Sequence, residues 1–275
     1  MTADLHVHSY YSDGAYSPRE LALRAREAGV GLLSVTDHDS MEGLAEKEAE
    51  TRAAGLLFLA GWEVSSYSEI GKVHVLGYRC KPCAAYARFL EARRAGGIAR
   101  AEDSLKKANA FFSLSLSMRD AERERAVESA PLHTMHVVRA VAKAIGKDEG
   151  EVYLCYFAKG NVAYSGLCRP APEEAIDVVH ACGGLAVLAH PGRIGGKAGA
   201  RESLMNGLVG YGLDGIECVY STHTAEETEY FQAYAKARGL LVTGGSDFHA
   251  EGRGRTIGRP EFHPSDRLLA ALGLR

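Results

Sequence analysis

The chain has 275 residues, 46% hydrophobic and 24% charged, with a formal net charge of −3 and a pI near 6.4. At roughly 150 residues per domain this is one large barrel or about two domains, and the composition excludes wholesale disorder, collagen-like repeats and a coiled-coil rod. The mildly acidic balance excludes the broad basic field that grips long duplex nucleic acid.

In chain order, the first predicted element is a strand over residues 4–8 (DLHVH). Ser17-Pro18-Arg19-Glu20 then starts a helix, with a Ser cap, Pro in the first turn and Glu three residues on, and the helix closes at Gly29. Strand-like runs follow at 32–39 (LLSVTDHD), 56–64 (LLFLAGWEV) and 72–78 (KVHVLGY), with a helix expected over 40–54. Residues 80–168 break the rhythm. This stretch is rich in Ala, Arg, Lys and Glu and reads as an inserted helical cap, its helices separated at Gly96-Gly97 and at 112–117. Alternation resumes with a helix over 172–182, strands within 184–193 and 215–220, a helix over 224–238 and a strand within 240–249. Short apolar runs buried on both faces and alternating with helices predict an α/β fold with a parallel sheet.

The first residues show acidic and histidine side chains where a signal peptide would show a basic stretch and an apolar run, and no run is long enough to span a bilayer. The six cysteines (Cys80, Cys83, Cys155, Cys168, Cys182, Cys218) therefore read as reduced thiols of a cytoplasmic protein with no membrane partner. Cys80 and Cys83 form a CxxC, but Pro82 sits inside it and no second CxxC follows, which gives little support to zinc or redox chemistry. The pairs Arg93-Arg94 and Lys106-Lys107 read as a solvated helix face.

The ionisable residues are placed unevenly. His6 and His8 stand two apart on a strand, so both leave the same face. Asp13 lies just beyond, and His38, Glu63, His74, His190, Asp247 and His249 fall in or at the ends of successive predicted strands. Active sites of α/β sheets and barrels sit at the carboxyl ends of strands. Imidazoles and carboxylates without thiolate suit Mn, Zn or Fe. Nine candidate ligands exceed the three or four that one ion takes, so two to three ions sharing a bridging carboxylate are expected. Asp37 and Asp39 are expected to orient those ligands.

These motifs (His6-Val-His8, Asp13, Thr36-Asp37-His38-Asp39, Gly61-Trp-Glu63, His74, His190-Pro-Gly, Asp247-Phe-His249) resemble those of the PHP family, named for polymerase and histidinol phosphatase. The resemblance implies a distorted (β/α)7 barrel, with 1–79 and 169–275 forming the barrel domain and 80–168 the inserted helical cap subdomain. It also implies up to three divalent ions and hydrolysis of phosphate esters. Carried over by position, His6, His8, Glu63 and Asp247 would hold a first ion. Glu63, His74 and His190 would hold a second, and Asp13, His38 and His249 a third.

Gly192-Arg193, Ser221-Thr-His223, His136-Val-Val-Arg139 and Lys159-Gly160 further resemble the stand-alone TrpH/YciV-like group, whose members act on nucleotides. Arg193, His223, His136 and Lys159 are its implied substrate contacts. The arginine that group often carries two residues before the histidine is Thr134 here, so a basic contact is either lost or supplied by His133, Lys159 or Arg193. The expectation is a phosphoesterase acting on a 3′,5′-bisphosphate nucleotide by a metal-bridging hydroxide. Asp247 and His249 would sit at its catalytic centre, Arg193 on phosphoryl oxygens and His223 at the leaving oxygen. The alternatives are a 5′–3′ exonuclease on short RNA, a metal-dependent amidohydrolase and a non-enzymatic metal-holding module.

Overall fold

The computed structural model describes residues 1–125, 132, 134–167, 169–252 and 254–274. His133 and Cys168 lie outside them. The chain divides into two compact units, one formed by Met1–Tyr86 with Pro170–Arg275 and the other by Ala87–Arg169.

The elements run β1 (Ala3–Val7), α1 (Pro18–Glu27), β2 (Leu32–Val35), α2 (Leu44–Ala53), β3 (Leu57–Phe58), β4 (Gly61–Ser68), β5 (Gly71–Tyr78), α3 (Ala84–Phe112), α4 (Met118–Glu122), α5 (Thr134–Ile145) and α6 (Glu149–Val152). A π-helical turn (Tyr153–Phe157) follows, then α7 (Pro172–Ala181), β6 (Leu185–Leu188), α8 (Ala198–Tyr211), β7 (Gly215–Tyr220), α9 (Ala225–Ala237), β8 (Leu241–Gly245) and α10 (Asp266–Ala271). Among the described residues no helix is long and apolar enough to cross a membrane.

Local signals set several ends. Ser17 Oγ accepts the Glu20 N–H while the Glu20 carboxylate accepts the Ser17 N–H, the reciprocal cap expected of that sequence. Thr224 and Glu227 do the same for α9. Two helical expectations need correction. Gly96-Gly97 does not break α3, which runs through both. A Cβ on Gly97 would meet the Leu132 carbonyl oxygen at 2.7 Å, so this glycine serves close backbone packing, not chain reversal. Arg93 is buried and not solvated. Helix α8 was hidden by the glycines of 195–212, and α2 starts later than expected because 42–43 form a turn.

Strands form two sheets, a parallel one ordered β1-β2-β3 and a five-stranded one ordered β4-β5-β6-β7-β8. In the second sheet β6-β7-β8 are parallel, but β5 pairs antiparallel with both β4 and β6. The all-parallel expectation fails here because only Glu69 and Ile70 join β4 to β5, and a parallel crossover needs a dozen or more residues. The run 56–64 likewise splits, β3 pairing with β2 and β4 with β5.

What positions the site is the stitching of strand ends. The Asp247 N–H donates to the His6 carbonyl (2.7 Å) and the His8 N–H to the Phe248 carbonyl (2.9 Å), tying β1 to the end of β8. The Asp39 N–H donates to the Glu63 carbonyl (2.7 Å) and the Glu63 N–H to the Asp37 carbonyl (3.1 Å), tying the end of β2 to β4. Beneath these joints Leu5, Leu32, Leu76, Tyr78, Val187 and Phe262 form one buried cluster, and Val7, Leu21, Leu33, Val35 and Phe248 another. The second unit has its own core, including Leu105, Val137, Val138, Val141 and Phe157.

Gly245 is where β8 passes β1. A Cβ there would lie 2.4 Å from His6 Cβ and 2.7 Å from His6 N. Gly245→Ala is expected to displace His6 and to cost about 1–3 kcal/mol, the usual penalty of overpacking, read as a lower midpoint in thermal unfolding.

Candidate metal centre

The two-residue strand period brings the His6 and His8 Nε2 atoms to 3.1 Å from each other. Glu63 on β4 places Oε2 3.2 Å from both, and Asp247 places Oδ1 3.5 Å from His6 and 3.1 Å from His8. Four donors with such spacings match the roughly 3.3 Å edge of a tetrahedron around an ion bound at about 2.0–2.1 Å. All four residues are buried.

Glu63 also faces the other way. Its Oε1 lies 2.6 Å from His74 Nδ1 and 2.9 Å from His190 Nε2, while Oε2 lies 3.0 Å from His38 Nδ1. The donor atoms of His38, Glu63 and His74 form a second compact group, and those of His8, Asp13, His38 and His249 a third. In the third, Asp13 Oδ1 lies 3.3 Å from His249 Nε2 and 3.8 Å from His8 Nδ1, and Asp13 Oδ2 lies 3.9 Å from His38 Nε2. The structure thus brings all nine expected donors together. Glu63 meets His74 and His190 through Oε1, while His38 lies near both Glu63 and Asp13 and His8 also faces Asp13. An isolated bridge pairs His38 beside Glu63.

Electrostatics fit divalent cations. Burial opposes ionisation of Glu63, but His74, His38 and His6 around it hold its carboxyl well below the usual range. Asp247 and Asp13 are likewise low despite burial, each surrounded by histidines. Burial holds His74 well below the ordinary imidazole value, leaving a neutral donor. Burial also works against protonated His6, yet Glu217, Glu63 and Asp247 outweigh it and lift His6 well above its ordinary value. Glu63 Oε2, His74 Nε2 and His8 Nδ1 are buried without a hydrogen bond. Cations held by the donor groups would occupy a region where buried polar atoms lack hydrogen bonds, and this nitrogen-oxygen set suits Mn, Zn or Fe.

A further ring of residues holds the donors. His6 Nδ1 lies 2.9 Å from Glu217 Oε1, and Glu217 Oε2 accepts the His190 N–H at 2.8 Å. Asp37 accepts from the Ser9 N–H and from the Ser9 and Ser12 hydroxyls, and is ion-paired with buried Lys47, which fixes the loop leading to Asp13. Asp39 accepts the Ser65 N–H at 2.8 Å, close to Glu63. On Asp247 the second oxygen, Oδ2, accepts from Tyr220 Oη (2.7 Å) and lies 2.9 Å from Arg255 Nη1, so Oδ1 is left facing the histidines. His190, Asp247 and Asp39 all have left-handed backbone (φ 30°, 51° and 52°), local strain concentrated at this site.

Glu217, Tyr220 and Arg255 were not found from sequence. Glu217 had a signal, a lone carboxylate inside the apolar run of β7, whereas Tyr220 and Arg255 had none. Tyr220→Phe removes the hydroxyl that donates to Asp247 Oδ2. It is expected to weaken metal affinity about 10-fold, the low end for such supporting contacts, measured by calorimetric titration of Mn²⁺ into stripped protein.

Arg193 is half exposed, with Nη1 donating to Tyr220 Oη at 3.1 Å and lying 3.6 Å from Asp247 Oδ2. His223 differs from expectation. Its Nδ1 faces the Cys218 carbonyl at 2.9 Å, and its Nε2 accepts the Gly192 N–H at 3.1 Å. Burial pushes its pKa down. Both nitrogens are thus committed to backbone, an arrangement that positions the 190–193 turn and leaves no proton for a leaving group. His136 on α5 is buried and Lys159 is exposed; both belong to the second unit, and only the sequence resemblance supports a role for them.

Residues 4–169 match the PHP domain family. A 3′,5′-nucleoside bisphosphate phosphatase of Chromobacterium violaceum is 34% identical over 95% of this chain and 92% of its own length. A 5′-3′ exoribonuclease of Haemophilus influenzae is 31% identical over 90% and 89%. Among solved structures, an amidohydrolase from Chromobacterium violaceum with bound sulfate and no metal superposes with a TM-score of 0.87, at 30% identity over 99% of this chain and 97% of that one.

Proposed function

This chain belongs to the PHP domain family, and from that premise we propose that it is a metal-dependent phosphoesterase acting on a small 3′,5′-nucleoside bisphosphate. The observation that carries the reading is Glu63, a buried carboxylate with one oxygen in the His6–His8–Asp247 group and the other against His74 and His190. A carboxylate so placed would serve as a ligand shared between two neighbouring cations.

The nine donors would hold two to three divalent ions, Mn, Zn or Fe. Bound there, such ions supply Lewis acidity to the phosphoryl group and lower the pKa of water. Glu217 takes the His6 Nδ1 proton's hydrogen bond and so turns the Nε2 lone pair toward the donor cluster. Tyr220 and Arg255 hold Asp247 ionised and oriented, and His249 and Asp13 complete the far side of the cluster. Arg193 presents its planar guanidinium to non-bridging phosphate oxygens, braced by Tyr220. His223 acts through Gly192 as a positioning residue. Lys47 is ion-paired with Asp37 and so does not serve as the lysine ligand found in many amidohydrolases.

The pairing of His38 with Glu63 and of Val7 with Phe248 fits a distorted (β/α)7 barrel, with 80–168 as its helical insert. A cytoplasmic setting fits the reduced thiols of this reading.

The test is phosphate release from adenosine 3′,5′-bisphosphate, AMP, a 5′-phosphorylated RNA trimer and histidinol phosphate, each with Mn²⁺ and after chelation. Metal-dependent loss of the 3′-phosphate with AMP left intact is expected. Release of mononucleotides from RNA alone would replace the reading with exonuclease, and silence on every substrate by metal-loaded protein would overturn it.

A further inference from the structure

We propose that Cys83 and Cys182 are a reversible disulfide site, a dithiol that an external disulfide closes into a bridge within the first unit. Their Sγ atoms lie 2.8 Å apart although the residues are 99 positions apart in sequence. That spacing falls between a covalent bond of about 2.05 Å and an ordinary non-bonded contact, so closure needs only a small further approach.

The surroundings choose this pair over Cys80 and Cys83 of the CxxC. Cys80 is buried and accepts the Trp62 indole N–H at 3.3 Å, with the Tyr78 and Val179 carbonyls on its other side. Cys83 sits at the start of α3, partly exposed, with Sγ 3.7 Å from the Ala181 carbonyl. Cys182 follows the last residue of α7 and is buried. Burial pushes the Cys182 thiol up to about 12 and the Cys80 thiol up to about 11, which makes both poor initial nucleophiles.

The partly exposed sulfur therefore reacts first. With glutathione disulfide as oxidant, the Cys83 thiol loses its proton to water and its sulfur attacks one sulfur of the oxidant. The S–S bond of glutathione disulfide breaks, and one glutathione thiolate leaves and is protonated. The Cys182 thiol then loses its proton and attacks the Cys83 sulfur, displacing the second glutathione. Two protein thiols are oxidised, and one glutathione disulfide is reduced to two thiols.

The bridge would pin a segment that already touches the metal-centre loops. The Tyr86 N–H points at Cys83 Sγ (3.5 Å), and the Tyr86 hydroxyl accepts the Met41 N–H (2.8 Å), three residues past His38.

The full chain is equilibrated in glutathione buffers of increasing oxidation, quenched with acid, alkylated and mapped by peptide mass spectrometry. The expected product is a Cys83–Cys182 cross-linked peptide two hydrogens lighter than the thiols, reversed by dithiothreitol and absent from Cys83→Ser and Cys182→Ser. Closing so long a loop is also expected to raise the thermal midpoint by several degrees. Full alkylation of both residues after oxidation, a persistent glutathione adduct on Cys83, or a Cys80–Cys83 bridge would overturn the proposal. The wild-type map decides it even if a serine variant fails to fold.

Discussion

Glu63→Gln is expected to lower kcat/KM for phosphate release by roughly a thousand-fold or more while leaving the fold intact. The substitution keeps shape but removes the charge and replaces one oxygen by an NH₂ group that has no lone pair for a cation. Since the two Glu63 oxygens face different donor groups, whichever way the amide turns, one group loses its shared ligand. Each ion is worth several kcal/mol of transition-state charge stabilisation, and every 1.36 kcal/mol is about tenfold in rate. The loss should come with reduced bound metal, counted by plasma mass spectrometry. Activity within about tenfold of wild type, at full metal content, would remove Glu63 from the centre of the proposal.

The largest effect on stability is expected at Lys47. This side chain is fully buried in α2 and ion-paired with Asp37, whose other bonds go to Ser9 and Ser12. Lys47→Met preserves volume but removes the ion-pair partner of a buried carboxylate, a change that costs about 3–5 kcal/mol. For a chain of this size that is a fall of roughly 10 °C in Tm. In the wild type burial pushes Asp37 up, but Lys47 and His8 pull it below its ordinary value. Its contribution is thus present above the unfolded carboxylate pKa and lost only as pH falls through the lower folded value. In the variant burial acts without Lys47, Asp37 takes up a proton in milder acid, and the stability gap narrows as pH falls. Adding Asp37→Asn should recover most of the loss at neutral pH. A Tm unchanged by Lys47→Met would show that the pair is a bystander.

These two residues mark how far reading the sequence goes. Glu63 was legible because it ends an apolar run and belongs to a set of motifs whose order and spacing are specific. Lys47 was not. In sequence it is one of many charges in a predicted helix, and nothing local separates it from a solvated face. Its burial depends on where α2 lies against the loop that follows β1. The same division holds for Glu217, Tyr220 and Arg255, which act on His6, His190 and Asp247 from more than 25 positions away or across a loop. It holds again for Cys182, whose partner is 99 positions distant.

By itself the sequence determined the alternation of strands and helices, the helix cap at Ser17, the nine candidate donors and, through their motifs, the family and class of chemistry. These follow from local periodicity, capping and residue type, which a linear chain displays directly. Tertiary structure decided the rest. It turned β5 antiparallel because two residues cannot build a crossover, and it ran α3 through two glycines because a backbone oxygen lies against one of them. It also set His38 beside Glu63 by an isolated bridge, which leaves His38 near both Glu63 and Asp13. Register and cross-sheet contact are properties of pairs distant in the chain, and the energy that selects them exists only once both partners are packed.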